Sequence, residues 1–173
     1  MTRREVLLKC LGGASLALVP SGLLPAAKAA GSDTYREFYE LWEEACVCHC
    51  WSEDKRAYDL CLRALALAPE KLNGEVRADI VEKVVCLRES LAAAEVDLAK
   101  QQAALEAEPD NPESHFFLGF TLTRLGREEE AVAEYRLALQ NPEGLCAHCY
   151  RDSSNNIGWY DYRRGPTVVR TGL

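Results

Sequence analysis

The segment NPESHFFLGFTLTRLGREEEAVAEYRLALQNPE, Asn111 to Glu143, decides how the rest of the chain is read. It predicts two helices joined at Gly126. Small residues at Gly119 and Ala131 let the helices approach closely, and Leu118 and Tyr135 fill the space beside them. Gly126 makes the turn. Pro142, which cannot continue a helix, stops the second one. The acidic run REEEAVAE opens that helix, where the macrodipole favours negative charge. It reads as a solvated face rather than as paired catalytic carboxylates.

The order Leu118-Gly119, Gly126, Ala131, Tyr135, Ala138, Pro142 resembles the tetratricopeptide repeat, a helical hairpin of about 34 residues. His115 stands where that family favours Trp, and Pro142 comes one residue early. Partial units flank this one. Upstream, RAYDLCLRALALAPE places Ala57, Cys61, Ala64 and Pro69 where the family has Ala, an aromatic, Ala and Pro. Its first helix would run from Phe38 to Trp51, with Ala45 at the close-contact position and Ser52 in place of the turn glycine. Between the units, residues 74–109 are helical by composition and periodicity. Ala104, Leu105 and Pro109 match the repeat there. Asp97 and Gln101 do not, which leaves a degenerate unit or a longer, coiled-coil-like hairpin. Downstream, SSNNIGWYDYRRG repeats Leu118-Gly119 as Ile157-Gly158 and Gly126 as Gly165, after an insertion around EGLCAHCY.

The expected fold is therefore all-α: a short α-solenoid of about three tetratricopeptide-type hairpins over residues 30–165, the last unit incomplete, then an irregular tail at 166–173. The final helix, around Trp159 and Tyr162, has no partner helix. Either it caps the stack, or the chain is cut short and that helix keeps an open apolar side through which two copies could pair.

The first 29 residues read differently. Arg3, Arg4 and Lys9 precede an apolar stretch from Cys10 to Leu24, and Ala27 and Ala29 supply the small-x-small pattern of a signal-peptidase site. TRREVLLK resembles the twin-arginine export motif. That resemblance implies export of a folded protein to the periplasm. The apolar stretch falls short of the ~20 residues of a membrane span, and Pro20 and Pro25 interrupt it. Membrane attachment is thus expected only through the uncleaved signal during export. The whole chain has 20 Lys+Arg against 27 Asp+Glu. Losing Arg3, Arg4, Lys9 and Lys28 together with Glu5 makes the remainder more acidic still. An acidic chain is repelled by phosphate backbones, so nucleic acid is not expected as a partner.

Seven of the eight cysteines lie beyond the signal, in a compartment where thiols oxidise. On a helix, Cys46, His49 and Cys50 share one face, and two sulfurs with an imidazole suit Zn or Cu. Cys86 is the candidate fourth ligand. Cys48 faces the hairpin interior near Cys61, where cysteine behaves as a small hydrophobe or forms a disulfide. Cys146 and Cys149 form a C-x-x-C, a spacing shared by metal knuckles and dithiol redox pairs. About five helices separate the two clusters, so they read as two sites. Packing or disulfides, a bound metal and thiol redox all remain open, with no required cofactor expected.

Nothing points to an enzyme. The three histidines, His49, His115 and His148, sit in no nucleophile pattern, and no glycine-rich phosphate loop is present. The repeat resemblance implies instead a groove lined by the first helix of each unit. Tyr39 and Trp42 would line it upstream, Glu113, Phe116, Phe120 and Arg124 in the best unit, and Asn155, Trp159, Tyr162 and Arg163 in the last. Aromatics with Arg are what binding hot spots use. The expected function is an exported, non-catalytic scaffold that holds a protein or peptide partner. The alternative is a Cys/His metal-binding or thiol redox accessory protein of an exported metalloenzyme.

Overall fold

The structure is a computed structural model that describes residues 32–68 and 74–164. The signal residues Arg3, Arg4, Ala27 and Ala29, the repeat positions Pro69 and Gly165, and the tail at 166–173 lie outside the described residues. Six α-helices and one 3-10 turn are described, with no strand among those residues. They are α1 (Ser32–Cys50), α2 (Asp54–Leu67), α3 (Gly74–Ala107), α4 (Pro112–Arg124), α5 (Glu128–Ala138), the 3-10 turn Pro142–Gly144, and α6 (Ala147–Arg164). The chain divides into two compact units, ending and starting at Glu89 and Ser90. The architecture is all-α and built on helical hairpins, as expected.

In the first unit α1 packs on α2. The core takes Phe38, Leu41, Ala45 and Cys48 from α1, Ala57, Leu60, Cys61 and Ala64 from α2, and Ile80 and Leu87 from α3. Spacings of three and four within α1 and α2 put each set on one helical face. In the second unit α4 packs on α5 and α5 on α6. Phe116, Leu118, Leu122, Ala131, Tyr135, Ala138 and Cys149 form its core, with Leu98 and Leu105 of α3 against it.

The two hairpins turn in the same way. The Ser52 N–H donates to the His49 carbonyl at 3.1 Å and the Glu53 N–H to the Cys48 carbonyl at 2.9 Å. The Gly126 N–H donates to Thr123 at 3.1 Å and the Arg127 N–H to Leu122 at 2.9 Å. Each pair is a Schellman closure of the preceding helix, which needs a left-handed residue at its centre. Gly126 supplies it with φ 75°, and Ser52 with φ 59°. Ser52 thus takes the glycine's place at the cost of a strained backbone.

The close contact expected at Gly119 is present. A Cβ there would meet two Tyr135 ring carbons at 3.0 Å and the Ala131 carbonyl oxygen at 3.2 Å. Tyr135 is fully buried, and burial pushes its phenol above the ordinary range. Its hydroxyl lies 3.2 Å from Thr123 Oγ1, which donates to the Gly119 carbonyl at 3.0 Å. Gly158 differs, since among the described residues nothing lies within 4 Å of a Cβ placed there. It repeats the sequence of Gly119 without its packing.

Two expectations need correction. Residues 74–109 form neither a degenerate hairpin nor a coiled-coil-like one. Gly74–Ala107 is one unbroken helix of 34 residues. No Gly, Pro or Asn interrupts the sequence after Gly74, so nothing supplies a turn. Its fully buried residues Ile80, Leu87 and Ala94 recur every seven residues, a narrow stripe on an otherwise wet helix. Pro142 does not stop α5, which ends at Ala138. It opens the 3-10 turn instead, where its missing N–H costs nothing.

Candidate functional site

The expected groove residues separate into three groups. Phe116 is core, tilted against Tyr135 at 6.1 Å. Phe120 is half-buried and stacks on it at 6.4 Å. Arg124 reaches α3: it donates to the Ser90 carbonyl at 2.7 Å and to Ser90 Oγ at 2.8 Å, with Asp97 at 3.8 Å. Phe116 and Arg124 thus hold α4 in its unit, while the stack of Phe120 on Phe116 stays within α4. Glu113 and Asn155 are exposed. In the first unit Trp42 packs on the core, while Tyr39 is exposed and edge-on to Phe38.

The α6 residues come together. Trp159 and Tyr162 stack with their rings 5.8 Å apart, and the Arg163 guanidinium lies 5.6 Å over Trp159. Arg163 also bonds Glu128 at the start of α5, as Arg164 bonds Glu129. These pairs fix the end of α6 and leave Tyr162 73% exposed. Phe117 and Tyr150 are exposed as well, and neither was expected. Phe117 follows a core phenylalanine by one position, so only the helix phase, not its residue type, reveals it.

The cysteine clusters differ in geometry. Cys46 is half-buried, and burial pushes its thiol up. Cys48 and Cys61 are buried. Burial and then Glu53 raise Cys48 to about 12, and burial and then Cys46 raise Cys61 to about 11. Cys61 occupies in α2 the place that Tyr135 holds in α5. Cys50 and Cys86 are exposed. His49 Nδ1 lies 3.7 Å from Asp54. Among the described residues, no three His, Cys, Asp or Glu side chains gather as a metal ion would require.

The C-x-x-C is held more closely. The 3-10 turn before it lies on the start of α4, where a Cβ on Gly144 would meet Pro112 Cγ at 2.5 Å. Leu145 packs on the core. Cys146 then precedes α6, exposed, and Cys149 sits in its first turn, buried. Their sulfurs are 2.7 Å apart, and the Cys149 backbone N–H donates to Cys146 Sγ at 3.1 Å. The sulfur thus fills the capping role usually taken by a hydroxyl. Hydrogen bonds from the Cys149 thiol and backbone hold the Cys146 thiol below its ordinary range. Burial, then the adjacent Cys146, pushes the Cys149 thiol up to about 11. The His148 backbone also bonds Cys146 and helps to lower its thiol, while the His148 ring turns to Asp152 at 3.1 Å and Arg151 at 2.9 Å from its two nitrogens.

The sequence is similar over 87 residues to the cytochrome c-type biogenesis protein CycH of Rhizobium meliloti (strain 1021), at 36% identity. That stretch is 50% of this chain and 21% of the relative, so the chain spans about a fifth of the relative's length. No family model matches, and no solved structure does. Among the described residues, no helix is long and apolar enough to cross a membrane.

Proposed function

We propose that the chain is an exported tetratricopeptide-type scaffold that serves c-type cytochrome biogenesis by holding a polypeptide partner on a surface that binds and does not itself catalyse. The observation that carries this reading is the aromatic surface of α6, with Trp159 and Tyr162 stacked and Tyr162 largely open to solvent. Rigid aromatics next to a guanidinium supply contact area at low entropic cost. The tetratricopeptide assignment draws on the matching Schellman turns and the Gly119–Tyr135 contact. The cytochrome connection draws on the partial likeness to CycH. The envelope location draws on the twin-arginine-like leader together with that likeness.

The test is genetic. Deleting the gene should deplete haem-stained c-type cytochromes in the source organism. Restoring the wild-type gene should recover them, and restoring a Trp159→Ala, Tyr162→Ala gene should recover them poorly at equal protein level. Unchanged haem staining in the deletion strain would break the cytochrome connection. Full recovery by the double variant would break the aromatic assignment.

A further inference from the structure

Two cysteines three positions apart at a helix start are common, and most carry no chemistry. Three observations set Cys146 and Cys149 apart. Their sulfurs already touch at 2.7 Å. A disulfide bond measures about 2.05 Å, so the start of α6 already holds the two sulfurs within reach of one. The two sulfurs also differ in access, Cys146 being exposed and Cys149 buried in the core. Finally, the turn that delivers them is built tightly: Gly144 lies against Pro112, half-buried Leu145 packs against the hydrophobic core, and Cys149 is set into it.

We propose that Cys146 and Cys149 are a thiol–disulfide exchange pair acting on a disulfide of a partner polypeptide, with Cys146 as the attacking sulfur and Cys149 as the resolving one. The steps balance. The Cys146 thiolate attacks one sulfur of the partner disulfide, that S–S bond breaks, and the second partner sulfur leaves with the electron pair and takes up a proton. Cys149 gives up its proton and attacks Cys146 Sγ. The mixed disulfide breaks, and the first partner sulfur leaves as a thiol after protonation. The partner gains two electrons and two protons, and the Cys146–Cys149 pair loses them. An external dithiol returns the pair to its starting state by the same exchange.

The surroundings suit this order of events. The Cys149 N–H and the amide dipoles of α6 converge on Cys146 Sγ and favour the thiolate. Glu113 is the charged group that opposes this, acting on both sulfurs. Only the exposed sulfur can meet a bulky disulfide, and the buried one is held where it can reach only its neighbour. The proposal stands apart from the scaffold reading, because it concerns the start of α6 rather than the aromatic surface near its end.

The test uses the chain without its leader and insulin as the disulfide-bearing polypeptide. With dithiothreitol as the source of electrons, the wild-type protein should accelerate insulin reduction roughly tenfold over Cys146→Ser, whose hydroxyl keeps the cap. In stepped glutathione buffers, alkylation followed by mass mapping should show Cys146 and Cys149 closing together in one two-electron transition. Cys149→Ser should instead accumulate a glutathione adduct on Cys146. Insulin reduction equal to that of Cys146→Ser, or Cys146 and Cys149 oxidising independently of one another, would overturn the proposal. The wild-type glutathione titration does not depend on any variant folding. Loss of this activity would leave binding of a partner untouched, so the two readings fail separately.

Discussion

Gly119 and Gly158 are a matched pair that separates packing from helix propensity. Each sits inside a helix, and each occupies the same place in a Leu-Gly or Ile-Gly dipeptide. Glycine in a helix interior costs about 0.8–1 kcal/mol relative to alanine, so both Ala variants gain that much from the backbone. The surroundings then diverge. At Gly119 the new Cβ meets Tyr135 ring carbons at 3.0 Å and a backbone oxygen at 3.2 Å. The ring has little room to yield, being fully buried, close to Phe116 and bonded through its hydroxyl to Thr123. Forcing a methyl into a packed core costs about 1–3 kcal/mol. Because the backbone oxygen cannot swing aside, the upper part of that range applies. The net result for Gly119→Ala is a loss of about 1–2 kcal/mol, and for Gly158→Ala a gain of about 0.5–1 kcal/mol. For a domain of this size that difference is on the order of 10 °C in Tm. Urea and thermal denaturation followed by circular dichroism measure both. If Gly119→Ala stabilises the protein as much as Gly158→Ala does, the close approach of α4 and α5 is wrong.

Other outcomes follow from single contacts. Ser52→Gly relieves a left-handed serine and should stabilise the first unit by about 0.5–1 kcal/mol, whereas Gly126→Ala should cost about 1–2 kcal/mol, both read from urea midpoints. Tyr135→Phe removes a hydroxyl that bonds Thr123 and should cost about 1 kcal/mol, since Thr123 keeps its bond to the Gly119 carbonyl. Gly144→Ala should drive Pro112 and the Cys146 turn apart. Its signature is slower closure of the Cys146–Cys149 pair in glutathione buffer with helicity retained. The Cys146 thiol is held below its ordinary range, so its thiolate persists to lower pH. Iodoacetamide should therefore modify Cys146 before Cys149 near neutral pH, and the preference should shrink as pH approaches about 11. Equal rates at neutral pH would contradict the assigned roles.

The residues that could be read from the sequence are those whose type is dictated by local geometry. Gly126 had to adopt positive φ, Gly119 had to admit a ring, and Ala57 and Ala64 repeat the small residues of α5 around Cys61, which stands where α5 has Tyr135, closely enough to reveal the first hairpin. Ser52 could be identified by its place in that pattern, although serine does not itself signal a left-handed turn. The long α3 departs from expectation because the repeat pattern implies a break, while the local sequence offers none. Packing phase was harder to see. Phe116 and Arg124 have the composition of a binding surface, yet one is core and the other is spent on Ser90, because both lie on the side of α4 that its own unit covers. Phe117, one position on, is the exposed ring. The sulfur–sulfur contact was beyond reach from spacing alone. C-x-x-C occurs in loops, knuckles and helix starts, and only the Gly144–Pro112 contact and the start of α6 at Ala147 bring these two sulfurs together.

The measurement that bears most directly on the scaffold reading is an equilibrium titration of the chain without its leader against the haem-free polypeptide of a c-type cytochrome from the same organism. Saturable binding in the micromolar range or tighter is expected, weakened roughly 30-fold when Trp159 and Tyr162 are both replaced by alanine, as loss of about 2 kcal/mol at a hot spot requires. No saturation up to about 1 mM, a free energy of only about −4 kcal/mol, would contradict it.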